Sequence, residues 1–399
     1  MRVNQFEKKE RQLRKALEQT TQRLGRHFAN AAASESAAAY LQSLLSSVER
    51  KNSWQLAEAA GLESPYRFQH LLGRGTWDAD ALRDEQLGVV LAGLGEEDAV
   101  LAIDETGFIK QGKKSAGVKR QYTGTSGKID NCQIGVFLSW QTAKGHALID
   151  RALYLPEEWA EDPERRRAAG VPEAVNFATK PALARAMVAR LRAAGMRPAW
   201  VVADAVYGAD YKLRVTLEEA GQPYVLAVTG QQCVWMGFGQ RRVKSVRTQV
   251  PAEAWVELRV AAGTKGPRVF DWAALPINHP HGRRWQRFLL LRRSRSTAGE
   301  ITAYLVFAPA DATLEEMARV AARRWAIEES FAQAKSEVGL DQYEVRSWVG
   351  WQRHMTLAMT AQALLAITRA RLFAKPVASQ AALSAFKKSR GLLVAAAPA

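Results

Sequence analysis

The clearest pattern along the chain is a change from helical to extended periodicity near residue 96. Up to about residue 95, apolar side chains recur at helical spacing, as with Ala16, Leu17 and Leu24 among alternating charges. Residues 53–72 read as two short helices: Ser53 is placed to cap the first, Gly61 to end it, and Ser64 with Pro65 to open the second. This is the layout of a helix-turn-helix offering Tyr66, Arg67, Gln69 and His70, and equally that of two helices in a plain bundle. At 99–103 five apolar residues form a run expected of a strand buried on both faces, with its end expected at Asp104. Strands at 131–140 and 147–155 extend it into a meander. After a helix over 181–194, a second wholly apolar strand ends at Ala203 and is also followed by a carboxylate, Asp204. An Asp210-capped helix and a strand over 224–228 follow, and strand–helix–strand implies a parallel pair.

Residues 231–311 change character, with short extended runs separated by Gly, Pro and basic turns, and read as a mostly β insertion. Thr313 and Glu316 have capping-box spacing and open a helix expected to run unbroken to Val338, before Gly339. A final apolar helix ends near Leu372. The expected organisation is α/β: a helical region at 1–95, a core at 96–230 and 312–372, the β insertion at 231–311, and a flexible tail at 373–399.

Charge changes the picture. The chain has 56 Lys and Arg against 40 Asp and Glu, a net +16, which favours a polyanionic partner, most commonly nucleic acid. No apolar run is long enough to span a membrane, and the N-terminus lacks a signal peptide's apolar core. The two cysteines, Cys132 and Cys233, form no disulfide framework or metal pair, so the expected setting is a reducing cytoplasm. Residues 110–128 are rich in Gly and Lys. Gly107-x-x-x-x-Gly112-Lys113 imitates a phosphate-binding loop, but Lys114 stands where Ser or Thr is required and no helix follows, which excludes nucleotide binding of that kind. A basic hairpin near a phosphate backbone, with Lys113, Lys114, Lys119 and Arg120, fits better.

Candidate chemistry gathers on the carboxylates. At about 100° per residue, Arg324, Glu328 and Lys335 fall within about 40° of one another, beside the apolar arc of Ile327, Phe331, Ala334 and Val338. Ordinary i,i+4 pairing explains one such triplet. Two strand-end aspartates and a core-packed helix carrying a Glu suggest more. Three converging carboxylates repel one another unless a cation lies between them, and hard oxygen ligands suit Mg²⁺ or Mn²⁺. Two such ions serve in-line phosphoryl displacement, with Arg324 and Lys335 available to hold phosphate.

Three blocks then carry a resemblance: Leu101-Ala-Ile-Asp104-Glu-Thr-Gly-Phe108, Val202-Ala-Asp204-Ala-Val-Tyr-Gly208, and Arg324-Trp-Ala-Ile-Glu328 continuing to Lys335. Together they resemble the DDE transposases of bacterial insertion sequences, in the group numbered seven hundred and one, close to group four. The third block departs from that group's Tyr-x₂-Arg-x₃-Glu-x₆-Lys signature, with Ala321 at the Tyr position. The resemblance implies a ribonuclease H-like core and a catalytic, metal-binding triad of Asp104, Asp204 and Glu328 with two Mg²⁺ ions or Mn²⁺ as substitute. It also implies cut-and-paste chemistry on double-stranded DNA, at terminal inverted repeats and at a target, by a homodimer associated with the bacterial nucleoid. Group-four relatives pass through a hairpin intermediate and hold a flipped base on an aromatic side chain; Trp235, Trp255, Trp272 and Trp285 are the candidates here, each also explicable as core. Phosphate contacts are expected from Arg324, Lys335, Lys113, Lys114, Lys119 and Arg120, and DNA contacts from Arg67 and Gln69. The alternatives are a catalytically inactive or domesticated DNA-binding relative and a metal-dependent nuclease of the same fold.

Overall fold

A computed structural model describes residues 2–263, 266–278, 284–297 and 299–373. The N-terminal region is helical: α1 (Arg2–Gly25), α2 (Ala31–Leu44), α3 (Ser53–Ala59), α4 (Tyr66–Gly73) and α5 (Ala79–Leu94). Side-chain caps start three of them: Asn30 accepts from Ala33 N, Asn52 from Gln55 N and Asp78 from Asp80 N. The cap of α3 is therefore Asn52 rather than Ser53, whereas Gly61, at φ 71°, makes the expected reversal before α4.

The chain then builds β1 (Val100–Ile109), β2 (Lys119–Thr123), β3 (Lys128–Thr142) and β4 (Gly145–Leu153). Helices α6 (Glu157–Ala160), α7 (Pro163–Ala169) and α8 (Lys180–Ala193) lead to β5 (Trp200–Ala203). Next come α9 (Ala205–Gly208), α10 (Tyr211–Glu219) and β6 (Tyr224–Val228). A two-stranded ribbon, β7 (Cys233–Met236) and β8 (Gly239–Arg242), and α11 (Val243–Val246) precede β9 (Val256–Gly263), β10 (Gly266–Ile277), β11 (Trp285–Arg293) and β12 (Ile301–Pro309). Helices α12 (Leu314–Arg323), α13 (Trp325–Val338) and α14 (Trp348–Phe373) close the described chain. The expected flexible tail, past Phe373, lies outside the described residues.

One mixed sheet organises these elements, in the order β2-β3-β1-β5-β6-β12-β11-β10-β9 with β4 also on β3. The meander is antiparallel and β1, β5 and β6 are parallel, an order consistent with a ribonuclease H-like core. Two expectations are corrected. Strand β1 does not stop at Asp104; it continues to Ile109 because β3 goes on pairing with it, from Asp104↔Phe137 to Ile109↔Cys132. The stretch 231–311 is β-rich, and since β12 pairs antiparallel with β6, β9–β12 prolong the central sheet. The long helix starting at Thr313 breaks at Arg324, which caps α12 and opens α13.

Strand alternation sends successive residues of β1 to opposite faces. Val100 and Ala102 join the core containing Met317, Ala318, Ile327 and Phe331, and Leu101 and Ile103 join the core containing Met187, Leu191, Tyr207 and Leu213. Helix α14 ties the N-terminal helices to this frame. Its Trp351, Met355, Ala358 and Met359 are fully buried, and Arg353 donates to the carbonyls of Leu72 (3.4 Å), Gly75 (2.5 Å) and Trp77 (2.9 Å), serving the end of α4. His354 bridges Tyr40 Oη (2.9 Å, through Nδ1) and the Gly339 carbonyl (3.2 Å, from Nε2). Burial, and then the charge of Lys110, push its imidazole down to about 3, so it works as a neutral spacer.

Candidate active site

The parallel pairing of β1 and β5 ends at Ile103↔Ala203. Both chains deliver a carboxylate immediately afterwards, at the carboxyl end of the parallel strands where α/β sheets place ligands. Asp204 turns into α9, accepting from Val206 N at 2.9 Å and Tyr207 N at 3.5 Å. Asp104 accepts from Glu105 N at 2.8 Å. Burial first, and then the charge of Asp204, push the Asp104 carboxyl up to about 7. Asp204 is also raised, by burial and by Glu105. The two aspartates thus share one poorly solvated place, and each charge disfavours the other.

Alternation along β1 turns Asp104 toward α12 and α13 and Glu105 the opposite way. Glu105 is held there by Lys180 Nζ (2.7 Å) and Tyr207 Oη (2.6 Å). Burial and Glu105 raise the Tyr207 phenol well above its ordinary value, so it remains a donor. Sequence reading passed over Glu105, Lys180 and Tyr207; the period of two in β1 and the place of Tyr207 three residues after Asp204 were the available signals.

On the Asp104 side stands Arg324, with Nη1 3.6 Å from Asp104 Oδ2 and Nη2 donating to Glu328 Oε1 at 2.8 Å. Ile327, Phe331, Ala334 and Val338 are buried in the core as the helical period predicts. Glu328 thus reaches the aspartates through a guanidinium and not directly. Among the described residues, no three His, Cys, Asp or Glu side chains stand close enough together to hold a metal ion. Lys335 lies further along β1, donating to Gly107 O (3.1 Å) and Thr125 Oγ1 (3.2 Å), and burial lowers its pKa.

Beyond Ile109 the chain enters a groove of about 1210 Å³. Gln69 of α4 and Arg50 of the α2–α3 connection line it, with Lys110, Lys113, Lys114 and Arg346 and the acidic Asp341 and Glu344. Lys119 and Arg120, with Lys113, line a neighbouring pocket of about 240 Å³, where Lys119 pairs with Glu158 at 2.5 Å. Arg67 is turned toward α2, donating to Ser36 Oγ at 2.7 Å, with Glu35 at 3.5 Å. Trp235 is 54% exposed on the ribbon, whose turn also carries the fully exposed Phe238, a residue passed over in the sequence. Trp255 lies under Arg293, and Trp285 stacks on Phe307 at 4.7 Å. Trp272 leaves the base-stacking candidates: it is 1% exposed and packed on Tyr304, with no face open to a base.

Residues 23–252 match the family described as DDE superfamily endonuclease, and residues 178–364 match that described as Transposase DDE domain. The chain belongs to the DDE transposases, enzymes that move DNA segments. It is similar to the probable transposase for insertion sequence element IS701 of Microchaete diplosiphon, with 25% identity over 303 residues, 75% of this chain and 74% of that one. The activity is that of an insertion-sequence transposase and the partner is DNA. No helix among the described residues is long and apolar enough to cross a membrane.

Proposed function

We propose that the chain moves its insertion sequence by cut-and-paste, with Asp104, Asp204 and Glu328 as catalytic acids and two Mg²⁺ ions, or Mn²⁺ in their place, as cofactor. The observation carrying this reading is the pair of aspartates immediately past the parallel pairing of β1 and β5, with Asp104 pushed up to about 7 by burial and by its partner's charge. Such a pair stays short of positive charge even with Arg324 beside it, and its hard oxygens suit a small divalent cation. Glu328, one guanidinium away, would complete the donor set. Bound there, the ions would activate the attacking oxygen and stabilise the leaving one.

The chain's own residues supply the remaining work. Glu105, secured by Lys180 and Tyr207, braces the middle of β1 and adds its negative charge to that of the two aspartates. Lys335 and the basic groove continue the line from Asp104 along β1, a path suited to a phosphate backbone. Gln69 in the same groove would let α4 and the 110–115 loop grip one duplex, with Arg67, Lys119 and Arg120 at its margins. Of the four candidate tryptophans, Trp235 is the one most open to a base, should the reaction pass through a hairpin. A homodimer acting on nucleoid DNA in the cytoplasm would bring two inverted-repeat ends together at one target.

Labelled transposon ends incubated with supercoiled plasmid and Mg²⁺ test the reading. Covalent end-to-plasmid products are expected. Cleavage without joining would identify a nuclease, and binding without cleavage an inactive relative. For the groove, Lys113→Ala and Lys114→Ala should each reduce the slope of log affinity against log salt by about 1, on cognate and random DNA alike. Gln69→Ala should weaken cognate binding more than random; equal loss would make Gln69 a backbone contact only.

A further inference from the structure

We propose that Arg324 is a built-in counter-ion that occupies the acidic site before metal arrives and must swing away for Glu328 to join Asp104 and Asp204. This rests on the metal-binding reading above. The guanidinium lies between Asp104 Oδ2 (3.6 Å) and Glu328 Oε1 (2.8 Å), so the group that separates the third acid from the first is itself a cation. Its charge also favours the ionised forms of both Asp104 and Asp204, so it serves all three acids at once.

The local backbone permits the exchange. Arg324 stands where α12 gives way to α13, and the hydrogen bonds on either side are long: Arg324 N to Ala321 O at 3.4 Å and Ile327 N to Arg324 O at 3.4 Å. The side chain is 25% exposed, so it has a way out to solvent. A divalent ion on the same carboxylates would repel the guanidinium, and a planar fork released there matches a phosphate of bound DNA. DNA that engages Arg324 should therefore tighten metal binding, and metal should tighten DNA binding by the same factor.

The test is Mn²⁺ binding to the full chain without DNA, followed by electron paramagnetic resonance of the free ion. Wild type, Arg324→Ala, Arg324→Gln, Arg324→Lys and Asp104→Asn would be compared. Either neutral variant should bind Mn²⁺ about tenfold more tightly than wild type. Arg324→Lys, which keeps the charge, should stay close to wild type. Adding transposon-end DNA should tighten binding to wild type and much less to Arg324→Gln. Melting in EDTA should fall for both neutral variants, since Asp104 and Glu328 lose the cation that pairs with them. Unchanged or weaker Mn²⁺ binding by the neutral variants, with Asp104→Asn still abolishing it, would overturn the counter-ion role and leave the metal site standing. Binding indifferent to Asp104→Asn would sink the metal site, and this proposal with it.

Discussion

Asp104→Asn, Asp204→Asn and Glu328→Gln should each remove Mg²⁺-dependent cleavage of transposon-end DNA, by on the order of 10³-fold or more, and leave metal-free DNA binding within about twofold. Each swap keeps the shape of the side chain and deletes the charge that a bound cation would require. Binding survives because the groove and Lys335 lie away from these carboxylates. A stability measurement separates lost chemistry from lost folding. With no metal bound, burial and the charge of Asp204 push the Asp104 carboxyl up to about 7 in the folded chain, against an ordinary 3.8. The native state therefore holds the extra proton between those values, and wild-type stability falls as pH rises through that window. Asn at 104 has no charge to bury, so the variant should melt above wild type at pH 8 and lose this advantage near pH 4. Cleavage at the wild-type rate by any of the three variants would remove that residue from the catalytic set.

The second large effect is expected from Gly208→Ala. Gly208 closes the turn after Asp204, and a Cβ there would lie 1.9 Å from the Ala227 carbonyl oxygen of β6. That neighbour is backbone in the middle of a sheet and has no rotamer to escape into. Helix α9 must then lift off β6, taking with it the amides that orient Asp204. We expect a loss of about 2–4 kcal/mol in denaturant unfolding. Cleavage should fall by about 10²-fold even where the protein stays folded, since displacements near 1 Å cost that much. Gly112→Ala is the control: nothing lies within 4 Å of its Cβ, and stability should stay within about 0.5 kcal/mol of wild type. Equal behaviour of the two variants would contradict the packing role assigned to Gly208.

The apolar runs before Asp104 and Asp204 were legible because burial on both faces leaves no alternation, and the two strands are indeed neighbours. The end of β1 was not legible. Its apolar run stops where β5 stops, but a strand lasts as long as any partner pairs with it, and β3 continues to Ile109. Helical period correctly gave the buried stripe of α13 and missed the break at Arg324, because a break that keeps both flanking turns helical leaves the spacing of apolar residues almost intact. The same spacing placed Arg324 beside Glu328 but could not reveal Asp104 on its other side, a contact made across the sheet. Glu105 hid behind its neighbour Asp104: adjacent acids in a strand look like one cluster in sequence, yet they face opposite cores. Among the tryptophans, composition could not tell Trp235, half in solvent, from Trp272, sealed against Tyr304. Sheet membership of β9–β12 depends on the pairing of β12 with β6, between residues far apart in the chain.

That last pairing makes the outer strands a gauge. Five ladder steps separate β5 from β9 through β6, β12, β11 and β10, a span of roughly 24 Å at about 4.8 Å per step. Whatever the far margin touches on a long substrate would be held at a fixed offset from Asp104 and Asp204, since β5 to β9 belong to one continuous ladder. Lengthening a turn between those strands would leave the offset alone, whereas excising one hairpin would shorten it by about 10 Å, so the reach of the enzyme along its substrate is set by counting strands.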